Sequence, residues 1–482
     1  MKQSIYYLLF LSLFFGSLQA QLSPEKSAMI TDLEKNQSKY VSVAEKIWSH
    51  AELGFLEDES SALLQKTLKK AGFSIKADVA GMPTAFIAEY GSGKPIIAML
   101  AEYDALPDMS QKAVPMKVKS PNGSAGHACG HHLFGAGSIA AAITVKNWLK
   151  ETKTPGTIRL YGTPAEEGGG GKVFMVRSGL FDDVDAVLSW HPGNENSADA
   201  GSSLAAISAR FRFKGVAAHA AGAPWMGRSA LDGVEAMNYM VNMMREHVKP
   251  ESRIHYAILN GAKAANIVPA EAEASYIIRH PDMREVRQLF ARVVKASEAA
   301  AMGTETEVSH EIIIGYFNKL PNQVLGEAMH KNLQLVGGVS YDAKEKDFAA
   351  KLMDTYDSRD LMPESAEKVK EFEVIEIGRG GSTDVGDISW VRPTTGMRAA
   401  TWAPGTSAHS WQAVAAGGMS IGHKGMMVAA KTLSLTAFDL FNNPELLEKA
   451  NEELLRRRGA DFKYESLLGD REPPLDYRKG QE

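Results

Sequence analysis

The single cysteine of this 482-residue chain, Cys129, sits in the run GHACGHHLFGAGS with His127, His131 and His132 around it. Thiolate sulfur and imidazole nitrogen are ligands for zinc-type ions, and a catalytic site of that kind keeps one position open for water. Downstream, PAEEGGGG sets Glu166 beside Glu167, and DAVLSWHPG carries His191. Adjacent carboxylates in one loop can divide labour, one holding a metal and the other taking a proton from water whose pKa the metal has lowered to ~7. The glycines Gly168 to Gly171 permit the tight turn such a loop needs. Each piece alone is weak evidence. A lone histidine after a strand is most often structural, and a glutamate pair is most often a solvated loop. Cys129 also has two other readings, an inert core residue or a nucleophile with His127 as base.

The elements around these residues point to one rim. KPIIAMLAEYDALP reads as a buried strand, Ile96 to Leu100, running into Glu102 and Asp104. Gly135 to Lys150 reads as a helix, Thr157 to Gly162 as a strand before Glu166, and DAVLSW as a strand ending at His191. Ser60 to Lys70 looks helical, with Gly72 placed to end it. Strands alternating with helices predict an α/β fold, a doubly wound and mainly parallel sheet, in which ligands bind beyond the carboxyl ends of the strands. Asp104, Cys129, His131, Glu166, Glu167 and His191 would all arrive there.

From Leu204 the pattern changes. AAISARFRFKG alternates, with Ile207, Ala209, Phe211 and Phe213 on one face and Ser208, Arg210, Arg212 and Lys214 on the other. Apolar residues at helical spacing follow from Leu231 to Met244, then two strand-like runs, RIHYAILNG and AEASYIIRH. A second amphipathic helix with Val286, Leu289 and Val293 and a last strand, TEVSHEIIIGY, complete the order βαββαβ. This predicts a ferredoxin-like domain over 204–313, inserted between catalytic parts at 21–203 and 314–470. The segment Tyr341 to Gly378 is charged and resists assignment. A late helix is expected over about Gly422 to Phe441. After Asn442 the chain is strongly charged and expected to face solvent, with residues 471–482 as a tail.

Composition narrows the function. Net charge is −5 and hydrophobic residues make up 44%, which argues for a soluble globular protein without the basic surface that nucleic acid requires. No G-x-S-x-G elbow, Walker A loop or dinucleotide fingerprint is present. MKQSIYYLLFLSLFFGSLQA has the layout of a secretory signal peptide over 1–20, which predicts an exported chain, periplasmic or secreted. No other stretch is long and apolar enough for a bilayer. One cysteine allows no internal disulfide.

EYDALP, GHACGHH, PAEEGGGGK, WHPG, FKGVAAHAAG, STDVGD and AHSWQ together resemble the two-metal amidohydrolases of the aminoacylase, hippurate-hydrolase and carboxypeptidase G type. GRSALD, FMVR and FDDVDA bring the chain nearest to the aminobenzoyl-glutamate hydrolase branch. The likeness runs from about Lys39 to Phe441. It implies a catalytic domain with a dimerising lid, two divalent ions (zinc or manganese), and Cys129, His131, Glu167, His191 and His409 as their ligands. It makes Glu166 the general base and Asp104 the carboxylate behind the metal site. His219 would reach the site of a second copy to stabilise the oxyanion. Asn266 and Arg279, and more weakly Arg228, would bind the substrate carboxylate, with Ser382 and Thr383 bordering it. Two departures stand out. His132 replaces the family's Asp or Asn and by position is a replacement ligand, a supporting donor or neutral. Glu102 stands where related peptidases carry a metal-binding histidine.

The implied activity is hydrolysis of an amide between an acyl or aminobenzoyl group and a carboxylate-bearing amino acid, a small-molecule substrate. The chain would act as a homodimer through the lid or with a related A-type subunit. Rival readings are a dipeptidase or aminoacylase of the same group, a thiol enzyme, and a non-catalytic binding protein on a hydrolase frame.

Overall fold

The computed structural model of the protein describes residues 22–481 apart from 122 and 379. The expected signal peptide lies outside the described residues. Among those described, no helix is long and apolar enough to cross a membrane.

The run IIAMLA forms the strand Ile96–Ala101, buried at every residue. It is apolar throughout because both neighbours, Gly156–Gly162 and Ala186–Leu188, pair with it in parallel and both sheet faces are covered. Among the described residues the large sheet then continues through Thr394–Ala400, Ser197–Gly201 and Val374–Ile375 on one side. On the other, Phe86–Ser92 and Ser74–Ala77 add antiparallel edges. The helices Pro24–His50, His131–Thr152 and Ser420–Asn442 pack against one another and, with the sheet, enclose the main core.

The lid is a four-stranded antiparallel sheet in the order Arg253–Asn260, Glu271–His280, Ala205–Lys214, Glu307–Tyr316. Helices Ala230–Met244 and Met283–Thr304 cover one face. The alternation in Ala205–Lys214 appears directly as burial: Ile207, Ala209, Phe211 and Phe213 enter the lid core, while Arg210 and Lys214 are exposed. Chain order gives βαββαβ, the ferredoxin-like arrangement.

Three local expectations need correction. The helix expected from Gly135 begins at His131, because Gly130, at φ +78, caps it in the left-handed region. Periodicity misses this turn because its first residues are polar histidines. The strand expected to end on His191 stops at Leu188, and His191–Gly193 opens a new strand along Thr394–Ala400. The segment after Asn442 does not simply face solvent. It forms the helix Pro444–Arg458, then buries Leu467 and Leu468 and folds back over the catalytic rim. Its anchoring residues are spaced irregularly, so no periodic signal betrays them. The unassigned Tyr341 to Gly378 stretch holds a helix, Ala343–Met353, started by a capping box between Asp342 and Glu345.

Candidate metal centre

The strand Ile96–Ala101 delivers Glu102 and Asp104, both buried, to its carboxyl end. The next strand over, Gly156–Gly162, runs into Glu166 and Glu167, and Thr163 ties the two ends together through the Ala101 carbonyl, accepting at 2.8 Å from its amide. Gly130 turns the chain so that Cys129 precedes and His131 opens the rim helix. A Cβ at Gly130 would lie 2.6 Å from Pro192, so the Cys129 and His191 loops approach as only glycine allows. The His409 amide donates to the Ala128 carbonyl at 2.9 Å, bringing the late loop onto the cysteine loop. Ala165 and His409 both hold left-handed φ, +55 and +59, a cost of ~1–3 kcal/mol each that the surrounding contacts must offset.

Six side chains meet there in three overlapping groups: Cys129, His131 and His191; Cys129, Glu167 and His409; His131, Glu166 and Glu167. Within each group the candidate ligand atoms lie within 4.8 Å of one another. Cys129 Sγ is 3.5 Å from His191 Nε2. Ligand atoms around one tetrahedral ion, at ~2.3 Å for sulfur and ~2.05 Å for nitrogen, stand ~3.6 Å apart. His409 Nε2 is 3.1 Å from Glu167 Oε1.

The ring nitrogens are oriented for the same purpose. His191 Nδ1 donates to the Pro192 carbonyl at 2.7 Å, which leaves Nε2 as a lone pair facing the thiol. His131 Nδ1 donates to Asp104 Oδ1 at 2.7 Å, and Asp104 Oδ2 accepts from the Glu167 amide at 2.9 Å. Asp104 thus fixes two candidate ligands from behind. His131 Nε2, Glu102 Oε2 and Glu167 Oε1 are buried and make no hydrogen bond, although the first two face each other at 3.1 Å. Imidazole nitrogens and carboxylate oxygens crowded together in this way are a donor set that a divalent cation would accept. The residues present therefore fit divalent ions.

A buried ammonium balances the carboxylates. Lys172 Nζ lies 2.7 Å from both Glu102 Oε1 and Asp384 Oδ1, with all three side chains enclosed. Burial favours the neutral amine, but Asp384 and Glu102 outweigh it and hold the Lys172 pKa above its ordinary value. Glu166 is half-buried, and burial followed by the charges of Glu102, Glu167 and Asp384 pushes its pKa well above the usual carboxylate range. A carboxyl shifted in this direction takes up a proton more readily than an ordinary one.

Other sequence-predicted residues fall elsewhere. His132 turns from the ligand set, its Nε2 donating to the Gly417 carbonyl at 3.0 Å, with the His127 ring 4.9 Å away. The helical turn from His131 points the His132 Nε2 at the Gly417 carbonyl rather than at the candidate ligand atoms. His127, with Nε2 donating to the Ile47 carbonyl at 2.9 Å, is buried with its pKa lowered to about 4 by burial, and it ties the cysteine loop to the helix Pro24–His50. His219 is exposed on the lid, its Nδ1 accepting from the Ala221 and Gly222 amides at 3.2 and 3.1 Å. Asn266 is exposed beside it, its carbonyl accepting from the Ala220 amide at 3.1 Å. Arg279 lies in a lid strand opposite Arg253, its Nε buried without a partner. Arg228 pairs with Glu305 at 2.5 Å on the lid surface, which occupies the guanidinium expected for substrate. Ser382 and Thr383 precede Asp384 on the loop that meets Lys172, and Ser382 Oγ is buried without a partner. Sequence reasoning missed Lys172, Asp384 and the tail residues Tyr477 and Arg478. Lys172 closes PAEEGGGGK and Asp384 lies in STDVGD, so both stood in motifs already singled out, while the tail residues gave no signal.

A sequence profile of peptidase family M20/M25/M40 matches residues 98–434. The chain belongs to this family. It is 41% identical to the B-type subunit of p-aminobenzoyl-glutamate hydrolase from Escherichia coli K12 over 446 residues, 87% of this chain and 93% of that protein. It is 29% identical to the Xaa-Arg dipeptidase of Mus musculus, over 91% of this chain and 94% of that protein. The A-type subunit of the E. coli hydrolase matches at 30%, over 47% of this chain and 55% of that protein. The crystal structure of an aminobenzoyl-glutamate utilization protein from Klebsiella pneumoniae superposes with a TM-score of 0.60 at 18% identity, covering 86% of this chain and 98% of that one. A dinuclear metal-binding M20 peptidase from Bacillus subtilis superposes with a TM-score of 0.57 at 16% identity, covering 85% of this chain and 99% of that one. These two likenesses establish a shared fold. As an M20 member the chain is a metal-dependent amidohydrolase or peptidase.

Proposed function

We propose that this chain hydrolyses the amide joining an aromatic acyl group of the p-aminobenzoyl type to an amino acid with a free carboxylate. The observation that carries the reading is the convergence of Cys129, His131, Glu166, Glu167, His191 and His409 on one rim. The 41% identity to the B-type chain of the E. coli hydrolase supports the substrate class. Cys129, His131, Glu167, His191 and His409 would hold two divalent ions, with the thiolate favouring zinc over manganese. Bound there, the ions would polarise the scissile carbonyl and lower the pKa of water. Asp104 keeps the His131 ring and the Glu167 backbone in register. Glu166 takes the proton of the attacking water and passes it to the departing amine nitrogen, as the C–N bond breaks and the water oxygen stays on the acyl carbon. His219, exposed on the lid, would serve the site of a second copy, which makes the working unit a homodimer. The identity to the A-type chain raises a mixed assembly as the alternative. A secretory leader over residues 1–20, as the sequence pattern suggests, would put the mature chain in the periplasm or outside the cell.

The test is a panel of p-aminobenzoyl-glutamate, N-acyl amino acids and Xaa-Arg dipeptides, with and without chelator. The highest kcat/KM on p-aminobenzoyl-glutamate, abolished by chelation and restored by zinc, supports the reading. Preference for the dipeptide would place the chain with the dipeptidases. Activity that survives chelation would favour a thiol enzyme. Ligand binding without turnover would indicate a binding protein. N-terminal sequencing of the mature chain tests the leader.

A further inference from the structure

The C-terminal segment ends on the metal loop. Tyr477 Oη donates to the Glu167 carbonyl at 3.0 Å, and Arg478 Nη2 donates to the same oxygen at 2.9 Å. On the other side of that residue, the Glu167 amide donates to Asp104 Oδ2 at 2.9 Å. The backbone of Glu167 is therefore held at both its N–H and its C=O. Between these clamps its carboxylate Oε1 is buried without a hydrogen-bond partner, 3.1 Å from His409 Nε2.

The contact is built rather than incidental. The Tyr477 ring meets Phe55 edge-on at 5.7 Å, and the Arg478 guanidinium stacks over the Tyr477 ring at 4.9 Å. Residue 54 is glycine, and a Cβ there would come within 2.2 Å of Tyr477 Oη. Upstream, the segment is anchored at several points. Leu467 and Leu468 are buried, and Arg177 Nη1 donates to the Gly469 and Arg471 carbonyls at 2.8 and 2.7 Å. Arg471 donates to the Ile312 and Ile313 carbonyls at the end of the lid. Tyr464 Oη donates to Asp387 Oδ1 at 2.7 Å.

The loop that needs such support is Glu167–Gly171. Four successive glycines give it no side chains with which to fix itself, and Gly168 and Gly170 take φ of +96 and +73. The Gly168, Gly169 and Gly170 amides bond back to the Glu166 and Ala165 carbonyls, so the turn is held from within, and further ordering of the Glu167 carbonyl lowers the entropy its carboxylate loses on binding an ion. We propose that Tyr477 and Arg478 are positioning residues for Glu167: by gripping its carbonyl they pre-order the glycine loop and set the carboxylate for metal. The proposal rests on the metal-centre reading above.

The test uses the full-length chain with Tyr477→Phe, Arg478→Lys and the double variant Tyr477→Phe/Arg478→Ala. Tyr477→Phe keeps the ring packing and removes only the donor. Zinc affinity of the metal-free protein is measured by competition with a chelator, melting temperature is read on the same metal-free protein, and cobalt(II) spectra report ligand geometry. The expected result is a ~10- to 100-fold weaker zinc affinity in the double variant, an altered cobalt spectrum and an unchanged melting temperature. Activity at saturating zinc should fall in kcat with KM little changed. Arg478→Lys, which keeps one donor, should remain near wild type. Wild-type zinc affinity in the double variant would overturn the proposal, as would a weakening that only follows a lowered melting temperature. Failure of the wild-type chain to bind zinc at all would overturn the metal-centre reading and this proposal with it.

Discussion

Glu166 and Glu167 are chain neighbours with different surroundings. Glu167 has its amide on Asp104, its carbonyl on the tail and its carboxylate beside His409, while Glu166 sits among other carboxylates that raise its affinity for protons. The proposed function gives proton transfer to Glu166 and metal to Glu167. Glu166→Gln should keep its metal and lose ~10²–10⁴ in kcat, whereas Glu167→Gln should lose metal. Metal analysis of both variants beside single-substrate kinetics checks this, and equal metal loss would contradict the division. Lys172 makes a second prediction. Its replacement by methionine leaves Glu102 and Asp384 buried without a counter-charge, and breaking such a pair costs ~3–5 kcal/mol. Urea unfolding of the metal-free protein measures the loss. The residue types of the site were legible because divalent-metal chemistry uses few of them. Lys172 and Asp384 were not, because they are 212 residues apart and only the fold makes them partners.

Among the elements, strands were the most legible. IIAMLA and the alternating Ala205–Lys214 report their burial directly in sequence. Helix starts and loops were less so, since the left-handed turn at Gly130 and the new strand at His191 depend on partners elsewhere in the chain. The short helix Val385–Val391 carries a consequence for pH. Its Asp387 accepts from the Phe317 amide at 3.0 Å and from Tyr464 Oη, joining the end of the lid to the C-terminal segment. Burial raises its pKa from the ordinary value to about 7. An acid whose folded pKa is raised favours the fold most fully below the unfolded pKa, ~3.9. That contribution is lost as pH rises to about 7. Melting temperature between pH 4 and 8 should therefore fall more steeply in wild type than in Asp387→Asn. Parallel slopes would show that Asp387 does not titrate in this window.

For the whole molecule, the lid carries the strongest prediction. Tyr239, Met243, Ile258 and Leu259 are exposed on the helix Ala230–Met244 and the edge strand Arg253–Asn260. An edge strand with exposed apolar neighbours is the kind of surface that the proposed homodimer would cover. If His219 serves the partner's site, inactive His219→Ala and Glu166→Gln chains should regain activity when mixed and re-formed. Statistical assembly gives roughly half mixed dimers, each with one intact site, and hence about a quarter of wild-type activity. No recovery would argue against shared sites. The α/β class and the inserted lid could be read from the order of elements. The fold-back of the C-terminal segment could not, because charge dominates its composition and its few anchors lack a repeat.

The proposed hydrolysis depends on distant segments converging on divalent ions with the Cys129 thiolate among the ligands. X-ray absorption at the zinc edge of the loaded protein reads that coordination shell itself. A sulfur scatterer at ~2.3 Å beside nitrogen and oxygen at ~2.0–2.2 Å is expected, with the sulfur lost in Cys129→Ser. A spectrum with nitrogen and oxygen alone in the wild-type protein would contradict it.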